Sequence, residues 1–482
     1  METMANQGDA AGSAAATVIS TTVGTAATTA VTTATRRKAW GITAMLMLFM
    51  VLNFADKALL GLVARPAMAE LGLTPMQFGF IGSSFFFLFS LSAILVGLVA
   101  DRLPSRWLVL ALTAIWAAVQ FPILAGGGAT VLLVCRIILG AGEGPALPVA
   151  LHATHGWFAA EDRALPSSLI AVGPTLGAAL AAPALSWVIA SPALGWRWAF
   201  GVLGIAGLVW GLAWAWVGKD GPYRQASGTR GASERTPLAR SATETLPSVP
   251  LRRVFGSPMW LAATLAGFAC FWAQGAMTTW VPQYIGGVLG VPAARIGVVY
   301  ALPWAFGTLL LIALGFAGRR IMRRGGSARV AVASLFGASL VASGVCLVAL
   351  PHASGGWALA LTTVGWGAFL VFPMAPTAVA YAVNPGQRAA VISTLVGIAS
   401  LGGVVSPAVF GMLVQKAGYL PGAHGGGHSL LLAQGLGDAF TLTGLLLLVT
   451  GAAAVLWVRP EQTAAQLRRY TRTSPSTTPL AP

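Results

Sequence analysis

Twelve times along this 482-residue chain the sequence turns apolar for twenty residues or more, and no other feature constrains its fold as tightly. About 20 apolar residues in a helix cross the ~30 Å hydrocarbon core of a bilayer. Inside lipid every backbone N–H and C=O must find its partner within the protein, so only helices or a closed barrel can span it. These stretches are continuous rather than alternating, which selects helices. Their limits are 39–63, 76–100, 107–126, 129–155, 165–190, 197–217, 259–285, 295–318, 328–350, 356–383, 388–414 and 437–458. The expected fold is an all-α integral membrane protein of twelve transmembrane helices. A composition of 56% hydrophobic against 9% charged residues excludes a soluble globular chain.

One long polar break, Gly218 to Ser257, divides the spans six and six. The expected organisation is a disordered tail at 1–38, a six-helix bundle at 39–217, a central loop at 218–257, a second bundle at 258–458 and a disordered tail at 459–482. Residues 1–38 lack a basic start and a continuous apolar run, so no cleavable signal peptide is expected. The net charge of +16 does not imply nucleic acid, because the basic residues sit in short runs between apolar stretches. With the N-terminus inside, twenty-three of them fall on the side of the termini. Only Arg65, Arg197, Arg295 and Lys416 fall on the other. The positive-inside rule then puts both termini in the cytoplasm. Arginine-over-lysine usage and abundant alanine hint at a bacterial source, hence an inner membrane. Cys135, Cys270 and Cys346 all lie in apolar spans and read as packing residues rather than a disulfide framework.

An ionised group at the centre of a bilayer costs ~2.5–3.5 kcal/mol on insertion scales. Four such groups nonetheless lie deep in the spans: Asp56 and Lys57 in the first, Arg136 and Glu143 in the fourth. At 1.5 Å per residue, Asp56 lies about 26 Å and Arg136 about 28 Å above the cytoplasmic edge, with Glu143 lower, at about 18 Å. Asp56 is therefore expected to pair with Arg136. Lys57, turned about 100° from Asp56, cannot point the same way. Gly140 and Gly142 thin the helix Leu132–Pro148 where something must approach it.

Several motifs carry a family resemblance. Gly97-Leu-Val-Ala-Asp101-Arg102-Leu-Pro-Ser-Arg106 resembles the G-x-x-x-D-R-x-G-R loop signature of the major facilitator superfamily, where the acid and base latch neighbouring helix ends. Pro104 replaces the usual Gly, and the repeat after the eighth span, Gly315-Phe-Ala-Gly318-Arg319-Arg320, lacks the Asp. Asn53-Phe-Ala-Asp56-Lys57, Arg136-x-x-x-Gly140-x-Gly142-Glu143-Gly144-Pro145-x-x-Pro148, Gly195-Trp196-Arg197-Trp198-Ala199-Phe200 and Trp280-Val-Pro282-Gln-Tyr284 resemble the anion:cation symporter family within it. Phe54 and Lys57 stand where that family's commoner N-Y-x-D-R has Tyr and Arg, and Phe89 falls where many relatives have Tyr. The resemblance covers roughly residues 38–460 and implies a carrier of carboxylates, usually coupled to protons.

The resulting expectation is an importer of a small organic anion by proton symport, acting as a monomer in the bilayer with protons as coupling ion and no cofactor or metal. Asp56 and Glu143 are the expected proton sites, and Arg136 and Lys57 the cations that take the substrate carboxylate. Gln274, Trp280, Tyr284, Trp366, Asn384 and Ser393 are weaker candidates for contacts from the second half. Losing the hydroxyls of Phe54 and Phe89 tilts the substrate toward an apolar or aromatic carboxylate. His152 and His155 are weak candidates for a proton relay, and His424 and His428 for metal binding. No phosphate-binding glycine loop or nucleophile–base set is present, so neither ATP-driven transport nor an enzyme is expected. Three alternatives stay open. The four charges could be a fixed brace. Gly173-Pro174-Thr-Leu-Gly177 resembles the fifth-helix motif of proton-coupled exporters. A transporter-like sensor is a third reading.

Overall fold

The structure is a computed structural model and describes residues 5–99, 103–158, 162–222, 249–384, 387–422 and 426–473. Twelve helical spans in it are long and apolar enough to cross a membrane. Spans 1 to 6 are Thr35–Leu71, Pro75–Val96, Ser105–Leu124, Ala129–His155, Leu165–Ala190 and Gly195–Val217. Spans 7 to 12 are Pro258–Gly287, Ala293–Arg323, Arg329–His352, Gly355–Ala380, Ala390–Lys416 and Ser429–Trp457. Every stretch expected from the sequence is there. An even number of crossings puts both described ends on one face, here the terminal face; the other is the far face.

The two halves repeat one packing scheme. Span 1 packs on 5, 2 on 4 and 3 on 6; correspondingly 7 packs on 11, 8 on 10 and 9 on 12. The halves meet where span 2 lies on 11, 5 on 8 and 1 on 7. Glycines make these seams close. A side chain at Gly79 would strike the Pro407 carbonyl, one at Gly61 the Thr278 carbonyl, and one at Gly297 the Ala182 carbonyl. Met76 N–H donates to Gln415 Oε1 (3.3 Å), Ala408 N–H to Ser83 Oγ (3.1 Å) and Gln283 Nε2 to the Gly61 carbonyl (3.3 Å). All lie toward the far face. On the terminal face a crevice of about 600 Å³ separates the ends of spans 8, 9 and 10, lined by Arg319, Arg323, Thr377 and Tyr381 among others.

Several spans are not single helices. Span 4 stops at Glu143 and restarts at Ala146, because Pro145 supplies no N–H to the preceding turn. The uninterrupted helix expected over Leu132–Pro148 is corrected accordingly. Span 3 breaks at Val119 and Gln120, just before Pro122.

The ends also differ from expectation. The first helix is continuous from Ala5 to Leu71, so the Ala/Thr-rich segment carries helical backbone instead of an irregular tail. Pro460–Thr473 is a helix with Thr463 and Leu467 buried, and its Glu461 Oε1 accepts the Arg329 N–H at 3.2 Å. Of the central loop, Leu251–Phe255 is a short helix, while 223–248 lies outside the described residues, as do 1–4 and 474–482. Span 12 begins at Ser429, eight residues earlier than expected, so the exposed Asp438 lies well inside it, and not at its edge, as a further charge.

Candidate functional site

Span 1 carries Asn53, Phe54, Asp56 and Lys57 on one helical turn, and the rotation between neighbours sends Asp56 and Lys57 to different partners. Arg136 Nη1 stands 3.9 Å from Asp56 Oδ1. Lys57 Nζ stands 3.3 Å from Glu143 Oε2 and donates to Asn53 Oδ1 at 3.0 Å. The expected Asp56–Arg136 pair is present. The second pair was not foreseen, because the rotation of Lys57 was weighed against Asp56 and not against Glu143, two turns along span 4. All four charged residues are at most 4% exposed.

Span 2 walls this cluster with aromatic rings. Lys57 Nζ sits 3.8 Å from the Phe54 ring centre and 4.9 Å from that of Phe89, and the Arg136 guanidinium carbon 4.8 Å from that of Phe85. Cation–π attraction of this kind strengthens as water is excluded. The approach that Gly140 was expected to permit is span 2 itself: a side chain there would strike the Phe85 carbonyl, and one at Gly144 that of Phe89.

The ion pairs are loose. At 3.9 Å the Asp56–Arg136 contact is too long for a hydrogen bond. Arg136 Nε and Nη1, Asp56 Oδ1 and both Glu143 oxygens are buried without a hydrogen-bond partner. A buried polar atom left unpaired costs ~1–3 kcal/mol, more when charged. Charges balance here, but hydrogen bonds do not. Such a cluster is poised for a ligand that supplies acceptors to the guanidinium.

One member was missed from the sequence. Gln120, 1% exposed at the break in span 3, donates its Nε2 hydrogen to Asp56 Oδ2. The signal was an amide inside an apolar run, two residues before Pro122.

Most candidates from the second half are not brought to the cluster. Trp280 is fully buried, its Nε1 donating to the Pro407 carbonyl at 2.9 Å, and belongs to the seam between spans 7 and 11. Tyr284 packs edge-on against Phe440, which also meets Trp366. Ser393 is exposed and bonds back to Ala390 of its own helix (3.2 Å). Asn384 lies beyond the end of span 10, its carbonyl accepting from Gln387 N–H. Gln274 is half-buried, its carbonyl accepting from Thr278. The contact that does cross from the second half is Trp304, edge-on to Phe54 at 6.3 Å. Trp304 Nε1 and Tyr300 Oη, one turn apart in span 8, are buried with no hydrogen-bond partner.

The remaining sequence motifs sort into braces. Arg197 bonds Glu70 (2.8 Å) and the Ile123 and Gly127 carbonyls (2.9 Å each), and Trp196 donates to Glu70, tying the far ends of spans 1, 3 and 6. Arg106 donates to the Ala215 carbonyl (2.5 Å) and its carbonyl accepts from Trp214, tying span 3 to span 6. Gly97 lies near the end of the helix that runs to Val99; Asp101, Arg102 and His424 lie outside the described residues. His155 Nε2 meets Ser167 Oγ at 2.8 Å, joining spans 4 and 5. Gly173 and Gly177 let span 5 pack on Met47, Met50 and Val51 of span 1.

The Major Facilitator Superfamily pattern matches residues 46–407. The chain belongs to that superfamily. It is a transporter in fold and kinship, not an enzyme. Over 394 residues it is 28% identical to the Probable sulfoacetate transporter SauU of Cupriavidus necator, covering 78% of this chain and 87% of that one. It is 25% identical to the hexuronate transporter of Bacillus subtilis (87% and 95% covered) and 25% to the D-galactonate transporter of Escherichia coli (80% and 91%). Among solved structures, a bacterial homologue of the human lysosomal transporter Spinster superposes with a TM-score of 0.70 at 19% identity, covering 90% of this chain and 98% of that one. A D-xylose–proton symporter superposes at 0.62 and 16%, covering 85% and 97%. These likenesses show the fold; the sequence relatives are consistent with a transporter of anions.

Proposed function

We propose that this protein imports a small organic anion by proton symport, acting as a monomer in a bacterial inner membrane with both termini in the cytoplasm. The observation that carries the proposal is a buried Arg136 whose Nε and Nη1 hydrogens lack acceptors, beside a Lys57 held loosely by Glu143. A planar guanidinium fork suits a carboxylate or sulfonate, while the ammonium adds a point charge. Relatives named for sulfoacetate, hexuronate and D-galactonate transport share an acidic cargo.

Charge balance supplies the coupling. With every group ionised, Asp56, Lys57, Arg136 and Glu143 sum to zero, and a bound anion would leave the site negative. A proton taken from outside by Asp56 releases Arg136. The cluster is then positive by one, and a monovalent anion on Arg136 and Lys57 restores neutrality. A neutral site is cheaper to enclose than a charged one. Glu143, lower in span 4 and beside its break, is the second proton site, discharging toward the cytoplasm. The phenyl rings of Phe54, Phe85 and Phe89 favour an anion with an apolar or aromatic body.

The test is uptake of radiolabelled sulfoacetate, glucuronate, galactonate and benzoate into proteoliposomes under an outside-acid gradient. Accumulation of at least one, lost in Arg136→Ala, is the expected result. If no anion accumulates and cationic dyes are expelled instead, the proposal fails in favour of an exporter.

A further inference from the structure

We infer that Gln120 is the positioning residue of the proton step, an amide placed to satisfy Asp56 in both of its protonation states. The inference rests on the symport reading and deepens it.

Gln120 reaches Asp56 because span 3 breaks. The helix from Ser105 ends at Ala118, and a new one starts at Phe121 with Pro122 in its first turn. At that break the backbone bonds are local: Gln120 N–H donates to the Ala117 carbonyl (3.3 Å), and its own carbonyl accepts from Leu124 (3.2 Å). The side chain is held from behind by span 6, where a Cβ built on Gly204 would lie 3.1 Å from Gln120 Cβ. A larger residue at Gly204 would press on the root of the Gln120 side chain. Around Asp56, span 4 contributes Arg136 and Glu143, span 1 Lys57, and span 2 the uncharged Phe85 and Phe89. Gln120 is the one hydrogen-bond donor seated on the carboxylate among the described residues.

The two oxygens of Asp56 are unequal. Oδ2 accepts from Gln120 Nε2, whereas Oδ1 faces Arg136 at 3.9 Å and has no hydrogen bond. An incoming proton therefore bonds to Oδ1. The new O–H turns from Arg136 to the amide oxygen of Gln120, while Nε2–H goes on donating to Oδ2. The acid and amide then form a closed two-bond pair. No group but Asp56 changes charge in this step, and the proton later leaves Oδ1 by way of Glu143 for water on the cytoplasmic side. A carboxylate only accepts and a carboxylic acid also donates, so its partner must do both. Lys or Arg could not accept, and an aliphatic residue could do neither. The consequence is that Arg136 is freed at the moment Asp56 is protonated, without leaving an unsatisfied hydroxyl behind.

The experiment compares proton-driven accumulation with substrate exchange, using whichever of the four labelled anions the wild type accumulates. Exchange at equal pH on both sides needs binding but no net proton transfer. Gln120→Met keeps the length and removes both polar atoms. It should lower accumulation about tenfold or more, the scale of one charge-assisted hydrogen bond, with exchange within about threefold of wild type. Gln120→Asn is one methylene short and should fail similarly, whereas Gln120→Asn combined with Asp56→Glu restores the combined reach and should recover accumulation. A Gln120→Met protein that retains accumulation overturns the inference. Equal loss of accumulation and exchange, with no recovery in the paired variant, overturns it too, since a general structural defect would do that. A wild type whose uptake ignores the proton gradient would instead overturn the symport reading itself.

Discussion

The two halves share one packing scheme but divide the chemistry between them. In the first half, spans 1 and 4 carry four buried charges with an amide from span 3 behind them. In the second, the corresponding spans 7 and 10 carry Trp272, Gln274, Trp280 and Trp366, with no acidic or basic side chain in either. Among the described residues its buried unpaired atoms are neutral: Trp304 Nε1, Tyr300 Oη, Trp366 Nε1 and Ser406 Oγ. The difference teaches that spans at these two positions pack without intramembrane charge. The proposed symport gives the charges of spans 1 and 4 a use that packing at these positions does not demand. At 3.9 Å the Asp56–Arg136 pair is also looser than a hydrogen-bonded brace.

The largest effect should come from breaking the charged side of that comparison. Arg136→Ala leaves Asp56 as an uncompensated buried charge, and removing one partner of a buried pair costs ~3–5 kcal/mol. Lower thermal stability and no uptake are expected. The double variant Arg136→Leu with Asp56→Asn should regain most of the stability without regaining uptake. Recovery of uptake in that pair would reduce the cluster to a brace.

Next in size is Glu143→Gln, which leaves Lys57 without its carboxylate. The protein should bind anion at least as tightly but fail to deprotonate and return empty, so exchange persists while proton-driven accumulation falls about tenfold or more. Equal accumulation by this variant would remove Glu143 from the proton route.

On the neutral side the effects should be smaller and confined to stability. Trp280→Phe deletes the hydrogen bond to the Pro407 carbonyl in the far seam, worth ~0.5–1.5 kcal/mol, and should lower the thermal midpoint with anion affinity unchanged. Trp304→Phe removes a buried donor that has no acceptor among the described residues. Its stability should stay within about 0.5 kcal/mol of wild type. A larger loss would reveal an acceptor for Trp304, and a selective loss of affinity would place it against the substrate.

What the sequence made legible follows from cost. Twelve spans could be counted because a helix that crosses lipid needs about 20 continuous apolar residues. Asp56, Lys57, Arg136 and Glu143 stood out because charge there is expensive, and helical rise alone put Asp56 level with Arg136. Gln120 stayed hidden because an amide in a membrane span carries no comparable penalty. The break after Glu143 was written in Gly144-Pro145 and could have been read. Trp280 and Tyr284 could not be placed, since a polar-edged aromatic serves a seam or a cavity equally well. Composition also misjudged the C-terminal segment: Thr463 and Leu467 lie one turn apart on one face, enough for a short helix to bury them.

The central claim is that a proton on the cluster makes room for an anion, and the most direct test is to count protons during binding. The purified wild type would be titrated with the transported anion in weakly buffered solution containing a pH indicator. Net uptake of about one proton per monovalent anion is expected, with affinity rising as pH falls and the uptake lost in Asp56→Asn. Tight binding with no proton uptake, at an affinity that does not change with pH, would contradict the account.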